Sequence, residues 1–294
     1  MRQKAFTKEQ ELQINEEYTL GMSSIALAKK HNVDPTTIVK AIRSSGGKMR
    51  TTGEIKRKYT YNHSFFKNID TEAKAYFLGL FLADGCVRGN VLEIGLQRGD
   101  RHILESFVNC IDGNNSIQDY VWRAGGFLKG TSPCSRLTIT SAEMVNDLRY
   151  HGIVDRKTYD VCVPKIENRL QKHFWRGVWD GDGSISFYTS KCKRECKNGN
   201  LKVYINKVIE VGLYGHVNTC TSFSEFLTAN DIQRSRFSPH YSIFMVRVKT
   251  RDCPKFLDLI YKDSDPKLCL KRKYAKYQEY LEYKKVNEES KEQL

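Results

Sequence analysis

The chain has 294 residues, 40% of them hydrophobic, and 48 Lys and Arg against 34 Asp and Glu, for a net charge of +14. That apolar content supports a packed core, while the longest apolar run, Ala75–Ala83, is too short to span a bilayer and stops at Asp84. Met1-Arg2-Gln3-Lys4 leads into polar sequence, not a signal peptide, and nine scattered cysteines read as reduced thiols, so a cytoplasmic protein is expected.

Residues 1–48 read as a separate small all-α module. Thr7–Tyr18 forms a first helix, broken at Gly21, and Ser23–His31 a second. After a turn at Asn32-Val33, Asp34 stands as N-cap and Pro35 at the first position of a third helix, Pro35–Ser44. Ile38, Val39, Ala41 and Ile42 form its apolar side, and Thr36, Thr37, Lys40 and Arg43 its exposed face. The order resembles a helix-turn-helix, whose last helix lies in the major groove of DNA. Residues 49–70 read as a basic linker with Arg50, Lys56, Arg57 and Lys58.

From residue 71 the pattern is helix, two strands, helix, two strands, helix, and it then repeats, giving an α+β pair of αββαββα units over 71–165 and 166–285 and a polar tail, 286–294. In the first unit Glu72–Asp84, Asp100–Ile111 and Ser141–His151 read as helices, and Val91–Arg98, Ser116–Arg123 and Ser135–Thr140 as strands. In the second, Leu170–Asp182, Thr221–Asn230, Cys253–Lys262 and Lys271–Lys284 read as helices. Ser184–Thr189, Leu201–Leu213 and Tyr241–Thr250 read as its strands. A basic loop, Lys191–Asn200, holds Cys192 and Cys196, but no second cysteine pair completes a zinc spacing.

The most specific signal is the repeat itself. Phe77-Leu78-Gly79-Leu80-Phe81-Leu82-Ala83-Asp84-Gly85 and Trp175-Arg176-Gly177-Val178-Trp179-Asp180-Gly181-Asp182-Gly183 are both apolar helical runs ending in Asp-Gly. Gly79 and Ala83, like Gly177 and Gly181, share one helix face, so the helices pack backbone to backbone. Gly85 and Gly183 are expected as left-handed residues closing each helix. Parallel packing brings Asp84 and Asp182 together at two negative dipole ends. Such a site calls for hard divalent cations, two or more Mg²⁺, with the carbonyls of Gly85 and Gly183 as further ligands, and for phosphodiester hydrolysis. Asp180 breaks the symmetry, since its counterpart is Leu82.

These two stretches resemble the paired motifs of the LAGLIDADG homing endonucleases in their single-chain, two-motif form, over about residues 71–283. The family's acidic metal ligand falls on Asp84 and Asp182. The departures, Phe77, Leu82, Trp175 and Gly181, keep apolar or small character, and Arg176 is expected to face outward. The resemblance implies a saddle of two sheets on duplex DNA, with a basic residue near each half-site. Lys157 and Lys273 match those places, with Lys271 as rival for the second. It also implies base reading from the strands, by Arg88, Gln97, Arg123, Arg136, Lys202, Tyr204, Asn206, Arg234, Arg236, Arg247 and Lys249. The expected protein is a monomeric, sequence-specific, Mg²⁺-dependent endonuclease making double-strand breaks at a long asymmetric site, nucleoid-associated when bound. A transcriptional regulator or an RNA-splicing maturase on the same fold is the alternative.

Overall fold

The computed structural model describes residues 5–51, 58–123, 130–155, 162–195, 201–241 and 243–292. The chain divides into two compact units, residues 1–58 and 59–294. In the first, α1 (Lys8–Thr19) opens with a capping box between Thr7 and Gln10, α2 (Ser24–His31) is capped by Ser23, and α3 (Pro35–Ser44) starts from Asp34 and Pro35 as its sequence dictates. Asn32 makes the turn between α2 and α3 in a left-handed conformation. Ile14, Tyr18, Leu27, Ala28, Ile38, Ala41 and Ile42 form this unit's own core. Ile25 of α2 is exposed.

The second unit is α+β and repeats itself. The first half runs α4 (Glu72–Ala83), β1 (Gly85–Arg88), β2 (Val91–Gln97), α5 (Arg101–Cys110), β3 (Gln118–Arg123), β4 (Thr131–Thr140) and α6 (Ala142–Tyr150). The second runs α7 (Asn168–Asp182), β5 (Gly183–Glu195), β6 (Leu201–Gly215), α8 (Val217–Ala229), β7 (Arg234–His240), β8 (Ile243–Val248) and α9 (Cys253–Tyr261), followed by α10 (Lys271–Glu292). Both sheets are antiparallel, ordered β1-β2-β4-β3 and β5-β6-β8-β7, so the halves share one topology. Alternation sends Leu92, Ile94, Leu96, Leu137 and Ile139 of one sheet, and Ile209, Val211 and Leu213 of the other, into a common core.

Several elements differ from the sequence reading. Arg234–His240 is a strand although it contains Pro239; β7 lies at the sheet edge, where a missing N–H is tolerated. The loop read at 191–200 narrows, because β5 continues to Glu195. The last helix continues into the polar tail as far as Glu292. Residues 59–70, read as linker, carry part of the core: Phe65 and Phe66 are buried, and Phe66 meets Phe81 edge-on at 5.7 Å.

The two motif helices cross with their backbones in contact. A Cβ at Gly79 would fall 2.1 Å from the carbonyl oxygen of Phe174 and 2.9 Å from the nitrogen of Val178. A Cβ at Gly177 would fall 2.0 Å from the oxygen of Tyr76 and 2.8 Å from the nitrogen of Leu80. These contacts correspond position by position, so the helices are related by a pseudo-twofold axis. Backbone cannot swing aside as a side chain can. Gly79→Ala and Gly177→Ala should therefore each lower stability by about 3 kcal/mol, the upper end of overpacking costs, read as a lower urea midpoint at unchanged slope. Gly99→Ala, where a Cβ meets nothing within 4 Å, should leave the midpoint in place.

Gly85 and Gly183 are not left-handed caps. Asp84 ends α4 in a right-handed conformation, and Gly183 is extended, with φ −86° and ψ 160°, as the first residue of β5. Glycine is required there for space: a Cβ would sit 2.3 Å from Cδ1 of Phe81 in one half and 2.3 Å from Cδ1 of Trp179 in the other. Each strand thus springs from its motif helix with no intervening loop.

Candidate active site

The helix crossing delivers the acids. Asp84 caps α4 and is exposed; Asp182 ends α7 and is half-buried. A Cβ at Gly181 would lie 2.3 Å from Cβ of Ala83 and 3.0 Å from Oδ2 of Asp84, so the Asp84 carboxylate rests against the residue that precedes Asp182. The two acids therefore stand at the C-termini of two helices in contact, where the dipoles add to the negative potential.

Among the described residues, Lys273 supplies counter-charge to these acids. Only 3% exposed, its ammonium donates to the carbonyls of Trp179 (2.6 Å), Asp180 (2.8 Å) and Gly183 (2.5 Å) and lies 4.8 Å over the Trp179 ring. Burial pulls its pKa down to about 8, against the opposing pull of Asp180, Asp84 and Asp182. It is thus a fixed cation beneath the end of α7, unlike Lys271, which is exposed. The Gly183 carbonyl, expected as a metal ligand, is engaged by this ammonium. Gly85 begins β1 opposite Ile94. Lys157 lies outside the described residues.

Asp180 seats the segment that carries Lys273. Its Oδ2 accepts from the Tyr76 hydroxyl (2.9 Å) and from the Leu270 N–H (3.0 Å). Burial pushes its pKa up to about 6 despite Lys273 and these two donors.

Arg176 does not face outward; it is wholly buried. Its guanidinium donates to Glu72 (2.6 Å) and to the carbonyls of Leu268 (2.8 Å) and Ile260 (3.1 Å), lies 3.0 Å from Nδ1 of His173, and stacks 5.2 Å from the Tyr76 ring centroid. A rigid fork with this many partners makes a buried charge tolerable where an unpaired one would not be. Burial would raise the Glu72 pKa, but hydrogen bonds from His173, the Asp265 N–H and Arg176 outweigh it and hold the carboxylate down to about 2.

The strands sort the remaining candidates by face. Arg88, Gln97 and Arg136 alternate with the buried residues of the first sheet and so lie on its uncovered face, where Arg136 sits 5.1 Å from the Tyr120 ring centroid and 3.6 Å from Glu93. Lys202, Tyr204, Asn206, Arg236 and Arg247 lie on the matching face of the second sheet. Arg236 stands directly opposite Arg247, whose guanidinium lies 3.8 Å from Glu210. Two candidates are misplaced. Arg123 shares the parity of Asp119, which bonds Arg101 of α5, and so lies on the helix-covered face. Arg234 stacks on Phe237, which pairs with Val246 on the core side. Lys249 follows β8, is exposed, and donates to Gln233. The sequence reading missed Tyr120, Trp122 and Tyr188; Trp122 and Tyr188 are 50% and 42% exposed on the uncovered faces, and alternation along their strands was the signal.

Among the described residues no group of three or more His, Cys, Asp or Glu could hold a metal, and no helix is long and apolar enough to cross a membrane. The donor set at the motif ends nevertheless fits Mg²⁺, which is held by one or two carboxylates with water and substrate oxygens completing the shell.

No protein-family model and no curated protein matches this chain. Among solved structures it is similar to the meganuclease I-SmaMI bound to DNA, at 12% identity over 74% of this chain and 91% of that one, with a TM-score of 0.47. It is also similar to the LAGLIDADG meganuclease I-AabMI bound to uncleaved DNA, at 12% identity over 71% and 91%, with a TM-score of 0.44. The homing endonuclease I-WcaI bound to its recognition sequence is similar at 12% identity over 70% and 88%, with a TM-score of 0.45.

The Glu72–Arg176 pair makes a measurable prediction. A carboxylate whose pKa is depressed on folding stabilises above its unfolded value, near 4.5, and loses that stability as pH falls toward about 2. Glu72→Gln should flatten this acid limb of the stability curve. It should also cost about 3–5 kcal/mol at pH 7, because Arg176 stays buried without its counter-charge; chemical denaturation across pH 2–7 reads both.

Proposed function

We propose that this protein is a Mg²⁺-dependent, sequence-specific DNA endonuclease that acts as a monomer. The observation that carries the reading is the seating of the Asp84 carboxylate against Gly181, beside Asp182, at paired helix C-termini. Bound Mg²⁺ supplies Lewis acidity and an activated water for phosphodiester hydrolysis.

The residues of the chain divide the remaining work. Asp84 and Asp182 hold the cation and fix where the scissile phosphates lie, one strand for each acid. Lys273 offsets the negative end of α7, so that the helix end does not repel the phosphate. Arg88, Gln97 and Arg136 on one sheet, and Lys202, Tyr204, Asn206, Arg236 and Arg247 on the other, meet the duplex along the uncovered faces, where side chains read base edges or position the backbone. Lys249 reaches phosphate from a strand end. In the N-terminal module, Thr36, Lys40 and Arg43 are exposed on α3 and Thr37 half-exposed, and this face adds further contact with DNA.

A library of randomised duplexes incubated with Mg²⁺ tests the assignment. The wild-type chain should enrich a defined set of double-strand breaks, read by sequencing the ends. Asp84→Asn and Asp182→Asn should each lower cleavage by about 10²–10³-fold while retaining binding in gel shifts, the scale of losing one preorganised electrostatic contact. Undiminished cleavage by both variants would refute the assignment. A wild-type chain that shifts structured RNA and leaves every duplex intact would favour the maturase alternative.

A further inference from the structure

The crossing of α4 and α7 is polar on one flank and apolar on the other. On the polar flank the Arg176 guanidinium donates to Glu72 of α4 at 2.6 Å, and one turn further along α4 the Tyr76 hydroxyl donates to Oδ2 of Asp180 at 2.9 Å. The pseudo-twofold axis that relates Gly79 to Gly177 carries Glu72, Arg176, Tyr76 and Asp180 onto Leu170, Leu78, Phe174 and Leu82, all of them buried. Such side chains can form neither an ion pair nor a hydrogen bond. Phe174 is a tyrosine without its hydroxyl, and Leu82 branches where Asp180 does, so at these two places the flanks differ in polarity more than in shape.

The polar flank holds the segment that leads into α10. The oxygen of Asp180 that accepts from Tyr76 also accepts the Leu270 N–H, at 3.0 Å. Leu270 in turn opens α10, since its carbonyl accepts from the N–H groups of Lys273 and Tyr274 at 2.9 and 3.0 Å. Fixing Leu270 therefore fixes the first turn of the helix from which Lys273 reaches back to the carbonyls of Trp179, Asp180 and Gly183. A lysine side chain has several rotatable bonds and holds one geometry only when its root is held. Oδ1 of Asp180 has no partner among the described residues, so a single acceptor oxygen makes the whole anchor.

We infer that Tyr76 and Asp180 are positioning residues for Lys273, and that cleavage of one strand alone depends on them. Tyr76 belongs to the first motif helix and Lys273 to the second half, so one half sets the cation of the other. Phe174 and Leu82 make no matching bond on the apolar flank, so the dependence is one-sided. The inference rests on the endonuclease reading above, and one arm of its test is independent of cleavage.

The test compares Tyr76→Phe, Asp180→Leu and their combination, which copy the apolar flank, with Asp180→Asn, which keeps an acceptor oxygen. A duplex taken from the library selection, with each strand labelled separately, is cut under single-turnover conditions. One strand should slow, by about tenfold in Tyr76→Phe for one lost hydrogen bond and by about 10²-fold in Asp180→Leu for a displaced group, so that nicked duplex accumulates. The other strand should keep its rate, and Asp180→Asn should recover most of the loss seen in Asp180→Leu. On the full chain without DNA, acetic anhydride should acetylate Lys273 slowly in the wild type and, in Asp180→Leu, at a rate approaching that of the exposed Lys271, read by peptide mass spectrometry. Equal slowing of both strands, as a loss of folding would give, would overturn the positioning. So would Lys273 labelling that no variant changes, or an Asp180→Asn variant as impaired as Asp180→Leu. A wild-type chain that cuts no duplex would refute the endonuclease reading and with it the strand dependence, while the labelling would still decide whether the pair holds Lys273.

Discussion

Direct contact between the backbones of α4 and α7 is the constraint from which the rest of the second unit follows. Gly79 and Gly177 each accept the conformational cost of glycine within a helix, about 0.5–1 kcal/mol, and in exchange two helices meet with no side chain between them. That closeness carries Asp84 to Gly181. It also lets both helices be buried nearly all round, as Tyr76–Leu82 and Phe174–Asp180 are. A helix buried on every side loses the polar stripe of a surface helix, which is why amphipathic periodicity is absent from α4 and the small-residue spacing carries the signal instead.

Within this symmetry the halves are chemically unlike. At two equivalent positions the first half has Leu78 and Leu82, both buried; the second has Arg176 and Asp180, also buried. Apolar packing suffices in one case. In the other, the two polar groups tie residues 260–273 onto the motif helix through the carbonyls of Ile260 and Leu268 and the N–H of Leu270. The same polar clamp holds Lys273 under the end of α7, so the second acid has a resident cation set by tertiary structure.

Much of this was legible in the sequence, and the failures have definite causes. The cap at Asp34 was readable because a short side chain bonds a nearby N–H within one turn, and it does so. The repeat of small and acidic residues was readable because helix spacing converts sequence offset into a shared face. Arg176 was misread because its partners come from residues as remote as Glu72 and Leu268, which no local window contains. The strand at 234–240 was hidden by Pro239, permitted only because an edge leaves one side unpaired. Phe65 and Phe66 sit in a short segment without periodicity, so their burial was visible only once the core they enter had formed. Arg123 and Arg234 show the limit of listing basic residues: charge is a property of the residue, but the face it occupies depends on register and on the shift between Arg234 and Arg236.

The loop-free passage from helix to strand at Gly85 and Gly183 has a consequence for how such a molecule can change. Because each sheet begins on the residue after an acid, the two carboxylates and the outward strand side chains share one joint. Inserting a single residue at that joint would invert the strand, turning every outward side chain inward. Outward side chains can therefore be exchanged, and hairpins lengthened at their far ends, while the joint itself admits no insertion.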